Sequence, residues 1–155
     1  ALGARVAVTS SSDAKLARAT ELGASLAVNY GHDGWARRVM DWTAGDGVDV
    51  VVETGGAGTL SQSIRLARSG GTIAMLGALT GRRSEIDLAP VVMQRLRIAG
   101  IMVDSRDAAI RMVRFLEQSA VRPVIDRRFP FQELPQALAY LASGAHFGKV
   151  VLDYD

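Results

Sequence analysis

The chain of 155 residues contains no cysteine, which removes disulfides and every thiolate metal site. Its two histidines, His32 and His146, lie far apart with no spaced carboxylate partner, so a zinc site built from this chain is not expected. Lysine is almost missing: Lys15 and Lys149 are the only two among 18 basic residues, and the rest are arginines scattered along the sequence. Aromatic residues make up 6% and do not interleave with the basic ones, and the net charge is only +2, so nucleic acid is not an expected partner. No apolar run approaches the ~20 residues of a membrane span, and no basic-then-apolar leader precedes the first patterned segment. No Gly-x-Ser-x-Gly elbow is present, which disfavours an esterase. The first residues, Ala1-Leu2-Gly3-Ala4, lack a methionine, as expected of a piece of a longer polypeptide.

What is present is ordinary in amount and informative in arrangement. Apolar residues make up 48% and charged residues 22%, the balance of a soluble domain with a real core. The 16 glycines cluster just after apolar runs. Arg5-Val6-Ala7-Val8-Thr9 reads as a short buried strand, and Ser12 or Asp13 can cap a helix with Leu16, Ala19 and Leu22 on one face, closed by Gly23. Leu26-Ala27-Val28-Asn29-Tyr30 is the next strand, followed by a helix carrying Trp35, Val39, Met40 and Trp42. Val48-Asp49-Val50-Val51-Val52-Glu53 is a β-branched run of the kind buried on both faces of a parallel sheet. It enters the turn Thr54-Gly55-Gly56-Ala57-Gly58 and a helix with Leu60, Ile64 and Leu66. Gly70-Gly71 turns into the strand Thr72 to Gly77, and Leu96 to Val103 is a further strand before an amphipathic helix over 106–119. Later, 123–126 and 129–131 look extended. Glu133 to Ser143 looks helical, with Leu134, Ala137, Leu138 and Leu141 inward, and Gly148 to Asp153 is a last strand. Strands alternating with helices at this spacing predict right-handed crossovers and a parallel α/β sheet.

Several of these segments together resemble one family. Val8-Thr9-Ser10-Ser11-Ser12-Asp13-Ala14-Lys15, Glu21-Leu22-Gly23-Ala24 and Val28-Asn29-Tyr30 resemble the second and third strands of medium-chain alcohol dehydrogenases and quinone reductases. Gly47 to Glu53, Gly70 to Gly77 and the closing His146-Phe147-Gly148-Lys149-Val150-Val151-Leu152 resemble later parts of the same enzymes, in order over essentially the whole chain. The resemblance implies a Rossmann-like doubly wound parallel sheet that lacks its first strand and glycine-rich phosphate loop. It also implies a division into a partial dinucleotide-binding domain over 1–122 and a C-terminal return segment over 123–155. The nearest branch is the zinc-type alcohol dehydrogenase-like reductases, with any zinc confined to a catalytic domain that this chain lacks. Short-chain dehydrogenases are the obvious rival, but none of Tyr30, Tyr140 or Tyr154 has a lysine four residues on.

Candidate site residues follow from that register. In such folds the end of the second strand meets the adenosine ribose: an acidic residue there bonds the 2′-hydroxyl, and a small neutral one with a nearby cation admits a 2′-phosphate. Here the position is Ser10, followed by Ser11 and Ser12, with Lys15 one turn on and Tyr30 closing the next strand. The resemblance therefore implies NADP(H) in preference to NAD(H). The plainer alternative is a serine-rich turn, a helix cap and a solvated lysine. Thr54-Gly55 and Gly77-Ala78-Leu79 end adjacent strands where the family contacts adenine and nicotinamide ribose, and the backbone of Met102-Val103 corresponds to the contact with the nicotinamide amide. Asp104-Ser105 stand where Gly-Ser is common, which weakens that correspondence. Lys149 stands where relatives reach the cofactor phosphates, whereas His146 reads as a surface loop residue. Asp49 and Glu53 share a strand face more than ~13 Å apart, too far for paired acid–base work; Glu53 reads as a strand-end hydrogen-bonding residue.

The implied activity is hydride transfer between NADP(H) and a small-molecule alcohol, carbonyl or activated alkene in a cytoplasmic enzyme, with this portion inactive alone. The alternative is a non-catalytic nucleotide-binding or structural self-associating module. The family dimerises through the strand at 96–103, so a homodimer through that edge is expected. The missing first strand belongs between Arg5–Thr9 and Val48–Glu53. Those two strands are expected either to pair directly or to admit Lys149–Asp153 between them.

Overall fold

A computed structural model of the chain describes residues 3–154. They form two compact units, Arg5–Asp104 and a second made chiefly of residues 105–154.

The first unit alternates strands β1 (Ala7–Ser10), β2 (Leu26–Asn29), β3 (Val48–Glu53), β4 (Ala67–Met75) and β5 (Arg97–Gly100) with helices α1 (Asp13–Glu21), α2 (Trp35–Trp42), α3 (Leu60–Leu66) and α4 (Ala89–Met93). Every strand pairing is parallel, as the alternation predicts. Ser12 caps α1, its side chain accepting from the Lys15 amide. Leu16 and Ala19 of α1 are buried, but Leu22 falls at the C-cap, beyond the last full turn, and is exposed. Ala44, Gly45 and Gly47 all have positive φ, which reverses the chain sharply between α2 and β3.

Two apolar clusters hold the unit together. Leu60, Ile64, Ala67 and Ile73 pack with Val51 and Met75 where α3 covers β3 and β4. Val28, Val39 and Leu66 pack with Leu26, Trp35, Met40 and Val48, so α2 joins the β2 side of the unit to the β3 side. Ile73 and Val28 are both fully buried.

The sheet departs from expectation in three ways. First, β1 and β3 do not pair: the strands form a β1–β2 sheet and a separate β3–β4–β5 sheet. Side-chain packing through α2 ties the two sheets, and no backbone ladder does. Second, the β3 run is not buried on both faces. Val51 and Glu53 lie under α3, whereas Val50 and Val52 are 56% and 67% exposed. A β-branched run suits burial on two faces, but a cover must exist on each. Third, Gly70-Gly71 does not precede a strand; it lies inside β4, where the register jumps from Val48↔Ala67 to Val50↔Thr72. Gly70 takes φ +75° at this irregularity, which suits a bulge.

The second unit contains α5 (Arg106–Gln118), β6 (Ile125–Pro130), a 3-10 turn (Phe131–Glu133), α6 (Leu134–Ala142) and β7 (Lys149–Asp153). Ser105 caps α5 by accepting from the Ala108 amide. Strand β7 pairs in parallel with β6, from Ile125↔Lys149 to Pro130↔Asp153, and an Arg128–Asp153 ion pair closes the far end. This corrects the expectation that Lys149–Asp153 enters the first sheet: β7 forms its ladder with β6, the strand joined to it through α6. Phe129 and Ala137 are buried beneath the crossover. The Arg127 guanidinium lies 4.7 Å from the Phe129 ring centroid and 5.4 Å from that of Tyr140, whose hydroxyl donates to Asp126 at 2.6 Å. Leu138 and Leu141, expected inward, are exposed; with one two-stranded sheet to cover, α6 buries a narrower stripe.

Candidate functional site

The carboxyl ends of β1 and β2 lie side by side, with Ser10 in register with Asn29. The Tyr30 amide donates to the Ser10 carbonyl at 3.1 Å, which brings Ser10 and Tyr30 together. The Ser10 hydroxyl accepts from the Ser12 amide at 3.2 Å, and the Ser12 hydroxyl accepts from the Lys15 amide at 3.4 Å. Ser11 and Tyr30 face solvent, and Lys15 is half-buried. Beneath this turn sits Asn29, only 8% exposed. Its Nδ2 donates to the Asp13 carboxylate at 2.8 Å and to the Ser11 carbonyl at 3.4 Å, while its Oδ1 accepts from the Gly31 amide at 2.9 Å. The amide group thus staples the β1–α1 turn to the β2–α2 turn with both N–H donors and one oxygen lone pair engaged.

The carboxyl ends of β3 and β4 are joined differently. The Leu79 amide donates to the Thr54 carbonyl at 3.1 Å, and the Thr80 amide to the Gly55 carbonyl at 2.7 Å. The Ala57 amide donates to the Gly81 carbonyl at 3.1 Å, and the Gly58 amide to the Thr80 hydroxyl at 2.7 Å. The turns 54–58 and 77–81 are therefore zipped along their backbones. Glycine is needed here for space: a Cβ on Gly56, which also has φ +83°, would stand 2.7 Å from the Ala78 Cα. Thr54, Gly55, Gly77 and Leu79 are brought into one paired feature. Met102 and Val103 follow the end of β5 on the same edge, both strongly exposed; the strand itself stops at Gly100.

Glu53 anchors this pair of turns from below at 3% exposure. Its Oε1 accepts from the Gly55 amide at 2.7 Å, the Gly56 amide at 3.0 Å and the Thr59 hydroxyl at 2.6 Å, and its Oε2 accepts from the Ser63 hydroxyl. Burial by itself raises the carboxyl's pKa. The bonds from Ser63, Thr59, Gly56 and Gly55 outweigh it and hold the group below its ordinary value of 4.5. Glu53 is ionised at neutral pH, and its charge is neutralised by donors and not by a cation.

Lys149 belongs to the second unit, where it opens β7 and is exposed. Sequence reasoning missed Asn29, Thr59, Ser63 and Thr80 as site-building residues. For Asn29 a signal existed, since a polar amide ending an apolar strand must find partners if it is buried. Among the described residues no group of three His, Cys, Asp or Glu side chains could hold a metal ion. The described residues do not fit zinc. No helix of the described residues is long and apolar enough to cross a membrane.

The family model for zinc-binding dehydrogenases matches residues 1–118. The chain belongs to the zinc-binding dehydrogenase family. It is 41% identical, over 160 aligned residues, to a zinc-type alcohol dehydrogenase-like protein of Schizosaccharomyces pombe, with 100% of this chain and 46% of that protein covered. An L-threonine 3-dehydrogenase of Anaeromyxobacter sp. (strain Fw109-5) is 34% identical, with 99% and 45% covered. A crystal structure of an NAD-dependent alcohol dehydrogenase superposes with a TM-score of 0.91 at 35% identity, covering 99% of this chain and 45% of that one. The chain therefore spans about half the length of the zinc-binding dehydrogenase relatives it matches.

Proposed function

We propose that this chain is the cofactor-binding portion of an oxidoreductase that moves hydride between NADP(H) and an alcohol, carbonyl or activated alkene, completed by a catalytic domain outside it. The observation that carries the reading is the Ser10-Ser11-Ser12 turn at the end of β1. It sets hydroxyls where an NAD-selective site would set a carboxylate, with Tyr30 beside it. When bound, the nicotinamide supplies the hydride chemistry. This chain's residues bind and orient: Ser10, Ser11, Lys15 and Tyr30 at the adenosine end, Thr54, Gly55, Gly77 and Leu79 along the zipped turns, and Met102 and Val103 toward the nicotinamide.

Steady-state kinetics of the chain joined to a catalytic domain tests the cofactor choice. NADPH is preferred, and Ser10→Asp moves the preference toward NADH by repelling the 2′-phosphate; a native preference for NADH overturns the reading. The chain alone gives no turnover and binds dinucleotide weakly, since nothing in it holds substrate at hydride distance. Micromolar affinity by calorimetry contradicts that.

We further propose a homodimer through β5, which ends its sheet and pairs on one side only. Ile98 and Ile101 are exposed on a segment without proline, so little blocks edge pairing. Light scattering at micromolar concentration gives a dimer mass that Ile101→Lys reduces to a monomer; a monomeric wild type refutes it.

A further inference from the structure

We infer that Asn29, which touches no ligand itself, is the positioning residue that makes the β1–α1 turn selective for a 2′-phosphate over a 2′-hydroxyl. The inference rests on the dinucleotide reading above and assigns its selectivity to a buried side chain. The serines of the turn are not neutral in their bonding. The hydroxyl oxygens of Ser10 and Ser12 are each occupied as acceptors by a backbone amide, at 3.2 Å and 3.4 Å. A hydroxyl whose oxygen already accepts keeps its rotating hydrogen for donation, and accepting strengthens it as a donor. The turn therefore offers donors, which suits a phosphate monoester, an acceptor at every oxygen, better than a ribose hydroxyl that must also donate.

That arrangement exists only while the turn keeps its shape, and Asn29 fixes it from three directions. Its bond to the Ser11 carbonyl sets the middle of the turn, and its bond to Gly31 ties the turn to the segment carrying Tyr30. Its bond to Asp13 engages the one carboxylate of the turn on the β2 side. An untethered Asp13 carboxylate beside the serines would repel a phosphate. Asn29 thus orders the donors and restrains the repelling charge at once.

The test uses this chain as it stands and two small probes, adenosine 2′-monophosphate and adenosine, titrated by amide NMR. In the wild-type chain the phosphate probe shifts the amides of Ser11, Ser12 and Gly31 and binds about tenfold tighter than adenosine, a difference of ~1.4 kcal/mol. Asn29→Ala lowers that ratio below about threefold in the folded protein, and the phosphate probe loses more affinity than adenosine does. Asp13→Ala, at an exposed position that spares folding, provides a second arm. It removes a negative charge, which on charge alone tightens the phosphate; loss of the Asn29 tether instead weakens it about threefold. A wild-type chain without preference for the phosphate overturns the NADP reading and this inference with it. A preference that survives Asn29→Ala, or tightening in Asp13→Ala, overturns this inference alone.

Discussion

Two sheet edges in one unit solve the same problem with opposite materials. At β1–β2 a neutral amide, Asn29, staples two turns through three hydrogen bonds. At β3–β4 an ionised carboxylate, Glu53, gathers four donors while the turns above it are zipped by their own backbones. The neutral staple leaves the serine hydroxyl hydrogens of the turn free to donate. The charged anchor is stronger but depends on ionisation, so it suits a rigid glycine ledge whose side chains offer little.

The comparison can be broken most forcefully at Glu53. Glu53→Ala strands four donors, of which two are backbone amides, and lowers stability by ~3–4 kcal/mol, read by chemical denaturation. A loss under ~1 kcal/mol would show that the zipped turns hold themselves. Asn29→Ala removes three bonds at a buried site and costs ~2 kcal/mol in the same measurement. Equal losses for the two variants would erase the distinction.

Acid separates the anchors more finely. The Glu53 pKa is lowered in the folded state, so its contribution is fully present above its ordinary value of 4.5 and disappears as pH falls through the lowered value. Glu53→Gln therefore has a shallower decline of stability with falling pH below about 4.5 than wild type, while Asn29→Ala declines in parallel with wild type. Matching slopes in Glu53→Gln and wild type would refute an ionised anchor. The smallest effect is expected at the exposed valines of β3: Val50→Thr and Val52→Thr each change stability by less than ~0.5 kcal/mol. A larger loss would mean that this face is covered in solution.

Much of this was legible beforehand because it follows from local pattern. The β-branched run of β3, the capped start of α1, the amphipathic helix α5 and the return strand β7 all sit where their residues indicate. Burial was less legible, because a stripe of leucines in α6 or valines in β3 states what could be covered and not what covers it. The turns were found as glycine-rich strand ends, but their construction was not. Glu53 read correctly as a hydrogen-bonding residue, yet Thr59 and Ser63 reach it only once α3 lies on the sheet. Asn29 finds Asp13 only because β1 and β2 are parallel and in register.

The absence of a ladder between β1 and β3 makes the first unit a pair of panels hinged on side chains. Backbone hydrogen bonds transmit opening along a continuous sheet, and here they stop at the β1 and β3 edges. Packing of Val28, Val39 and Leu66 with Leu26, Trp35, Met40 and Val48 carries cooperativity from one panel to the other. The β1–β2 panel, with two four-residue strands, is then free to open without unfolding the glycine ledge. In hydrogen exchange its amides form an early group, separated from the slower Ile73 neighbourhood. The selectivity turn is thus carried on the part of the unit that opens first.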